Sequence, residues 1–139
     1  LREVTYDQVG AQIARMDAGI FFIKPAWSKR ASCPTRMGEF LGGGKPCLSN
    51  SGVGDVYEDF KETGTGITLP VDANGRLETD GLDEALQTLM DMAADPEMAA
   101  RCRAAAEARF SLKGGVAVYS RIYDQLAARD SKSVEGASD

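Results

Sequence analysis

A helix followed at once by a buried strand is the pattern of Ser32-Cys33-Pro34-Thr35-Arg36-Met37-Gly38-Glu39-Phe40-Leu41-Gly42-Gly43-Gly44-Lys45-Pro46-Cys47-Leu48-Ser49-Asn50. Pro34 suits the first helical position, because the N–H that proline lacks would have no partner there. The backbone N–H groups of Thr35, Arg36 and Met37 then stay free at the partly positive end of the helix dipole. This helix start therefore predicts an anion site.

The same helix carries one carboxylate before it stops. Three glycines at residues 42–44 end the helix, and an apolar strand is predicted over residues 46–49. Glu39 follows Pro34 at a distance of about 7.5 Å along the helix axis. One short helix thus offers backbone donors for a phosphate and a carboxylate for the hydroxyl groups of a ring.

Apolar runs alternate with helical patterns on both sides of this segment. Residues 20–23, Ile-Phe-Phe-Ile, are typical of a strand buried on both faces, and residues 67–69 predict a third strand. Helices are predicted over residues 6–16 and from Asp55, and a short strand within residues 1–5. The alternation predicts the α/β class, with a Rossmann-like, doubly wound parallel sheet.

The rest of the chain is predicted to be helical after a turn with Asn74-Gly75 at its tip. Asp80 is the predicted cap of the first of these helices, Asp95-Pro96 the start of the second, and Ser111 the start of the last. Apolar residues of the last helix are expected on an inner face: Leu112, Val116, Tyr119, Ile122, Tyr123 and Leu126. We expect one domain over residues 1–128, incomplete at its N-terminus, and a frayed tail over residues 129–139.

Composition narrows the function classes. The 139 residues have a net charge of −5, which argues against non-specific binding to nucleic acid. There is no apolar run long enough to span a bilayer and no signal-peptide pattern, so a cytoplasmic location is expected. The three cysteines lack metal-binding spacing and histidine is absent, so we expect no metal site and no histidine-based catalysis from this chain. Leu1 in place of Met suggests a piece of a longer protein.

Three segments are expected to meet at the carboxyl edge of the sheet: residues 24–33, the helix start, and residues 50–54. Each residue there also has a plain structural interpretation. Arg36 and Glu39 fit a surface ion pair, Lys29 and Arg30 fit solvated loop charges, and Trp27 fits a core residue or a lid. Cys33 has a lowered thiol pKa if it is exposed beside the helix start, although a structural role is the simpler interpretation.

Together these pieces resemble a known family. The run Asp17–Pro25, then Ser28-Lys29, then Ser32-x-Pro34-Thr35-Arg36-x-x-Glu39, then residues 50–55 is similar to the C-terminal domain of the GT-B glycosyltransferases of the group 1, or GT4, type. The likeness spans residues 1–128. It implies the domain that binds the nucleotide-sugar donor, a UDP- or GDP-sugar, with no cofactor.

The resemblance also implies residue roles. Glu39 matches the glutamate that holds the donor ribose. The diphosphate is expected near Pro34, Thr35, Arg36 and Lys29, and the donor sugar near Ser32 and Cys33. Retaining members often carry a second glutamate eight residues before the first, and here that position is Ala31.

The family's other half is not in this chain. An N-terminal acceptor domain of the same parent protein is the implied partner, with attachment to the inner face of the membrane through that domain. The catalytic residues stay unknown, and we expect the isolated fragment to bind a nucleotide sugar weakly and to transfer no hexose. The implied role of the parent is hexosyl transfer to a saccharide or lipid-linked acceptor in polysaccharide biosynthesis.

Two other hypotheses for the function of this chain stay open. One is a degenerate nucleotide-binding or scaffold module without catalysis, which Ala31 favours. The other is a different doubly wound domain, such as a piece of a sugar-nucleotide epimerase or a receiver-like domain. A receiver needs clustered acidic residues at the strand ends, and the sequence does not show them.

Overall fold

The computed structural model describes residues 3–135, with side chains through residue 128. The elements are, in chain order, α1 (Tyr6–Ile13), β1 (Gly19–Ile20), a 3-10 turn (Trp27–Lys29), α2 (Thr35–Gly42), β2 (Cys47–Asn50), α3 (Val56–Thr63), β3 (Gly66–Leu69), α4 (Leu82–Ala94), α5 (Met98–Phe110) and α6 (Leu112–Glu135). The chain divides into two compact units between Glu107 and Ala108.

The three strands form one parallel sheet in the order β1-β2-β3. All four residues of β2 are buried, as expected for the middle strand of a sheet covered on both faces. The predicted α/β class with a parallel sheet is therefore confirmed. The order shows no reversal, so the finer Rossmann-like, doubly wound arrangement stays a prediction.

Helices cover both faces of the sheet. Leu48 and Leu69 pack with Ala85 and Leu89 of α4 in one buried cluster. On the opposite face Gly19 and Gly66 flank Cys47 in register, and a Cβ on either glycine would overlap the ring of Phe40 or Phe60. The two glycines thus let the aromatic rings of α2 and α3 lie directly against the sheet.

The prediction that residues 20–23 are buried on both faces is wrong. Phe21 is buried, but Ile20 is 52% exposed and Phe22 is 44% exposed, and the ladder includes only Gly19 and Ile20. The physical reason is position: β1 is the edge of the described sheet, and α4 packs on β2 and β3. The predicted first strand is absent as well, since residues 3–5 are irregular and residues 1–2 lie outside the described part.

Several predicted helix caps differ from the structure. Pro34 is the N-cap of α2 rather than its first residue, and Asp55 and Gly81 are N-caps that make no side-chain cap bond. Asp80 is therefore not the cap of α4, because Gly81 takes that position. Asp95 does accept the N–H of Glu97 at 2.9 Å, before α5 begins.

The second unit consists of the end of α5 and helix α6. The prediction that six apolar side chains of α6 lie on an inner face is wrong, because all six are exposed. Helix α6 continues through Glu135, so residues 129–135 of the predicted tail are helical, and residues 136–139 lie outside the described part. Among the described residues, no helix has both the length and the apolar character needed to cross a bilayer.

The side chain of Asn50 continues the sheet where β1 stops. Its Oδ1 accepts the N–H of Ile23 at 2.8 Å, and its Nδ2 donates to the carbonyl oxygens of Ile23 and Ser51, both at 2.9 Å. The residue is buried, so these three bonds replace water completely. Asn50 therefore fixes the direction in which the chain leaves β1.

We predict that Asn50→Ala lowers the free energy of unfolding by about 2–4 kcal/mol, because it leaves the Ile23 N–H and two carbonyl groups without partners. Urea denaturation followed by circular dichroism measures the change. Gln87→Ala is the matched control, since its amide bonds Asp91 on the exposed face of α4, and we expect a change within about 0.5 kcal/mol. Asn50→Asp replaces the donor with an acceptor facing two carbonyl oxygens and should destabilise at least as much as Asn50→Ala. Equal denaturation midpoints for Asn50→Ala and Gln87→Ala would contradict a stabilising role for the three Asn50 hydrogen bonds.

Candidate functional site

The loop from β1 to α2 is held against the start of α3. The carbonyl oxygen of Lys29 accepts the N–H groups of both Ser32, at 3.1 Å, and Gly54, at 3.0 Å. Gly54 has φ of +46°, and a Cβ at this position would overlap the carbonyl oxygen of Ser32. Glycine is therefore required here both by its left-handed backbone and by the close approach of the loop.

This packing encloses a cavity of about 410 Å³ at the start of α2. The loop contributes Arg30, Ala31, Ser32 and Cys33, helix α2 contributes Pro34 and Met37, and the α3 side contributes Gly54, Asp55, Val56 and Asp59. The cavity confirms the expectation that the loop, the helix start and the segment after β2 meet at one place. It lies at the carboxyl edge of the parallel sheet, where ligands of α/β proteins usually bind.

Two carboxylates in this cavity were not predicted as site residues. Asp59 is only 7% exposed, and Asp55 is the N-cap residue of α3, where the sequence predicted only the start of a helix. A signal was present in the sequence, because Asp59 follows Val56 by three residues and precedes Phe60, on the apolar stripe of α3. An acidic residue on a buried stripe indicates a polar cavity beneath the helix.

The electrostatics at Cys33 are the reverse of the expectation for a helix start. Partial burial of the thiol raises its pKa above the usual value, and the carboxylates of Asp59 and Asp55 raise it further. The prediction of a lowered pKa is therefore wrong. Burial of the thiol is the largest cause of the shift and the two carboxylates add to it, although a helix dipole acts in the opposite direction.

The other two cysteines are buried in the first unit. Burial, with Cys102 close by, raises the pKa of Cys47 to about 12, and burial raises that of Cys102 to about 11 although Arg101 and Arg103 lower it. All three cysteines are free thiols. In the described part of the chain, no group of three or more acidic or cysteine side chains has an arrangement suited to a metal ion.

The predicted diphosphate residues lie outside the cavity, apart from Pro34. Thr35 and Arg36 are exposed in the first turn of α2, which we call the outer surface of the helix start, and Lys29 is exposed at the end of the 3-10 turn. Of the three backbone donors expected there, Met37 is already used, because its N–H donates to the carbonyl oxygen of Pro34 at 3.0 Å. Pro34 is buried at the junction between the cavity and this outer surface.

The side chain of Glu39 lies in a different groove. Its exposed side chain lines a groove of about 470 Å³ between α1 and α2, together with Tyr6, Asp7 and Gly10. Within residues 3–128 no ion pair joins Arg36 to Glu39, so the surface-pair interpretation is not supported. The structure thus separates the predicted ribose residue from the predicted sugar residues Ser32 and Cys33 by the first turns of α2.

We predict that Asp55→Asn speeds alkylation of Cys33, because removing a carboxylate favours the thiolate. Carboxylates raise the Cys33 pKa, so the rate against pH should shift to lower pH in the variant while keeping its slope. Mass spectrometry after timed iodoacetamide exposure of the native protein measures the rate, with Cys47 and Cys102 protected by burial. Asp83→Asn, on the exposed start of α4, is the control. Superimposable profiles for Asp55→Asn and Asp83→Asn would show that Asp55 does not act on the thiol.

Comparisons of the chain with protein-family models, with curated proteins and with solved structures give no significant match. The likeness to the GT4 glycosyltransferases therefore rests on the motifs between Asp17 and Asp55, and the case for a ligand site rests on the geometry around α2.

Proposed function

We propose that this chain is the donor-binding part of a glycosyltransferase that transfers a hexose from a nucleotide diphosphate sugar to a saccharide or lipid-linked acceptor. The proposal includes a Rossmann-like sheet that forms the C-terminal half of a GT-B fold. It also includes the N-terminal acceptor domain of the parent protein as the partner that completes the active site.

The observation that carries the proposal is that the Glu39 carboxylate is exposed and forms no ion pair with Arg36 within residues 3–128. Its side chain is exposed on a helix that starts at the carboxyl edge of a parallel sheet, and it lines a groove of about 470 Å³. A carboxylate without a pairing arginine can accept hydrogen bonds from both hydroxyls of a ribose diol. This availability supports the ribose role that the family resemblance implies.

The charges around α2 support one orientation of the donor. The cavity at the start of α2, which we call the inner cavity, is lined by two carboxylates, Asp55 and Asp59, and by one cation, Arg30, so its lining suits hydroxyl groups better than a diphosphate. The outer surface of the helix start offers the exposed side chains of Thr35 and Arg36 at the positive end of the dipole, and Lys29 is an exposed cation on the preceding loop. We assign the diphosphate to this outer surface, and Pro34 to the edge between it and the cavity.

The inner cavity is assigned to the donor hexose. Ser32 and Cys33 line it, as the predicted sugar role requires, and Ala31 lines it too. Ala31 stands at the position where retaining members of the GT4 family often carry a glutamate, so the loop before α2 does not supply this carboxylate. Asp55 supplies a carboxylate to the same cavity from α3, and its oxygens can accept hydrogen bonds from sugar hydroxyls.

In this arrangement the chain stabilises the leaving group rather than moving a proton. Negative charge develops on the departing diphosphate, and Arg36, Lys29 and the α2 dipole lie where they would stabilise it. Positioning of the acceptor requires a second wall of the cleft, which the partner domain would supply. The fragment alone is therefore proposed to bind donor without turnover.

A second candidate function is a nucleotide-binding or scaffold module without catalysis. The absence of a carboxylate at Ala31 and the negative field at Cys33 favour it, because both weaken the expected donor site. A nucleotide-binding module would also use Glu39 for a ribose, so at this residue only the scaffold form differs from the donor site. A pure scaffold has no use for a ribose ligand.

We predict that Glu39→Ala weakens nucleotide binding by an order of magnitude or more, since a hydrogen bond to a charged group contributes roughly 1.5–3 kcal/mol. Isothermal titration calorimetry with UDP, GDP and ADP on the 139-residue chain measures affinity and base preference together. Glu84→Ala, an exposed glutamate in the first turn of α4, is the matched control and should bind like the parent.

The same titrations separate the candidates. Binding that survives in Glu39→Ala would refute the ribose assignment while keeping a nucleotide site elsewhere. The absence of binding for all three nucleotides would leave the scaffold module as the better account.

A further inference from the structure

A third groove lies beside the inner cavity and has the one tryptophan of the chain at its rim. Its volume is about 370 Å³, and its walls come from two segments at the carboxyl edge of the sheet. Pro25, Trp27 and Arg30 lie on the loop after β1, and Asp72 and Asn74 lie on the turn after β3. Arg30 also lines the inner cavity, so this side chain is a shared wall between the two spaces.

Trp27 is 86% exposed, which rules out the core role considered for it. It begins a short 3-10 turn held by hydrogen bonds from the Lys29 N–H to the Ala26 carbonyl oxygen, at 2.8 Å, and from the Arg30 N–H to the Trp27 carbonyl oxygen, at 3.3 Å. A large aromatic ring on an ordered turn offers an apolar face to a ligand at little cost in conformational entropy.

Glycines keep the floor of this groove open. Gly52 and Gly75 have φ of +79° and +73°, a backbone conformation that side chains disfavour. A Cβ at Gly52 would lie 3.5 Å from Pro25 and 3.6 Å from Val71, filling the space between the two walls. Without these side chains a flat ring can lie between Trp27 and the turn after β3.

The wall opposite Trp27 is polar and charged. The backbone N–H groups of Asn74 and Arg76 each donate to Asp72 Oδ1 at 2.8 Å, and the Arg76 and Asn74 bonds hold the pKa of Asp72 below its usual value. Asp72 therefore stays ionised at neutral pH and repels a phosphate. The Arg30 guanidinium supplies donors. An aromatic face with acceptors and donors at its sides suits a neutral ring that carries hydroxyl groups.

We propose that the Trp27 groove binds a hexopyranose ring of a saccharide, with the apolar C–H face of the sugar on the indole and its hydroxyls on Asp72 and Arg30. The identification of this saccharide as the acceptor rests on the proposed function. Arg30 then stands between the acceptor in this groove and the donor hexose in the inner cavity. The chain itself thus contributes to acceptor binding, in addition to the partner domain.

Tryptophan fluorescence tests the site directly, because Trp27 is the only source of indole emission in the 139 residues. We expect maltotriose and mannotriose to change the emission in a saturable way, with excitation at the red edge of indole absorption. Saturation-transfer NMR on the same saccharides extends the measurement to variants that lack the indole.

In the NMR measurement, Trp27→Ala should weaken saccharide binding at least tenfold, and Trp27→Phe, which keeps an aromatic face, should weaken it less. Tyr119→Ala removes an exposed aromatic side chain of α6 and is the control, expected to bind like the parent. Circular dichroism checks that all variants are folded. An unchanged emission with both trisaccharides, or equal binding by Trp27→Ala and Tyr119→Ala, overturns the proposal.

The nucleotide titration distinguishes this inference from the proposed function. If nucleotide binding depends on Glu39 and the trisaccharides leave the Trp27 emission unchanged, the saccharide site is overturned while the proposed function stands. A saccharide response without nucleotide binding supports the site and removes its assignment to an acceptor. Competition between UDP and a trisaccharide for the Trp27 signal would assign the groove to the nucleotide and overturn the proposal.

Discussion

The arrangement of the carboxyl edge depends on the side-chain amide of Asn50. Strand β1 pairs with β2 over only two residues, yet Ile23 is held as if the ladder continued, because Asn50 offers it both an acceptor and a donor. A side chain can imitate a strand residue in this way when its amide lies in the plane of the sheet. The loop that carries Trp27, Lys29 and Cys33 therefore starts from a fixed point rather than from the free end of an edge strand.

A second constraint follows from the first. The loop so directed returns over Gly54, where the missing Cβ allows the carbonyl oxygen of Ser32 to approach. This contact brings the start of α3 close to the start of α2. Burial of the Cys33 thiol, together with the carboxylates of Asp59 and Asp55 that line the same cavity, then raises the pKa of the thiol. The packing of one glycine thus brings two carboxylates and Arg30 together in the cavity at the helix start, while Thr35 and Arg36 are exposed outside it.

The sequence predicted the elements better than their environments. Alternating apolar runs and helical periods indicated the parallel sheet, and the Asn74-Gly75 turn, with Gly75 at φ of +73°, is where the dipeptide indicated it. The exposure of Ile20 and Phe22 could not be predicted, because an edge strand and a central strand have the same apolar pattern when the neighbours are unknown. The direction of the Cys33 pKa shift could not be predicted from the sequence for a related reason. Its carboxylate neighbours come from another helix, through a glycine contact that no local pattern specifies.

The charges around α2 restrict the class of ligand that the site can take. A ligand that reaches both the inner cavity and Glu39 must pass over the first turn of α2, which from Thr35 to Glu39 rises about 6 Å. Along that path the protein offers acceptors at Asp55, donors at Thr35 and Arg36, and an acceptor at Glu39. A fully anionic ligand would meet repulsion at both ends, and a neutral one would leave the cationic turn without a partner. The proposed ligand, a sugar joined through a diphosphate to a ribose, has the matching order of hydroxyl, phosphate and hydroxyl groups, and this order is the physical argument for proposing a nucleotide sugar rather than a free nucleotide.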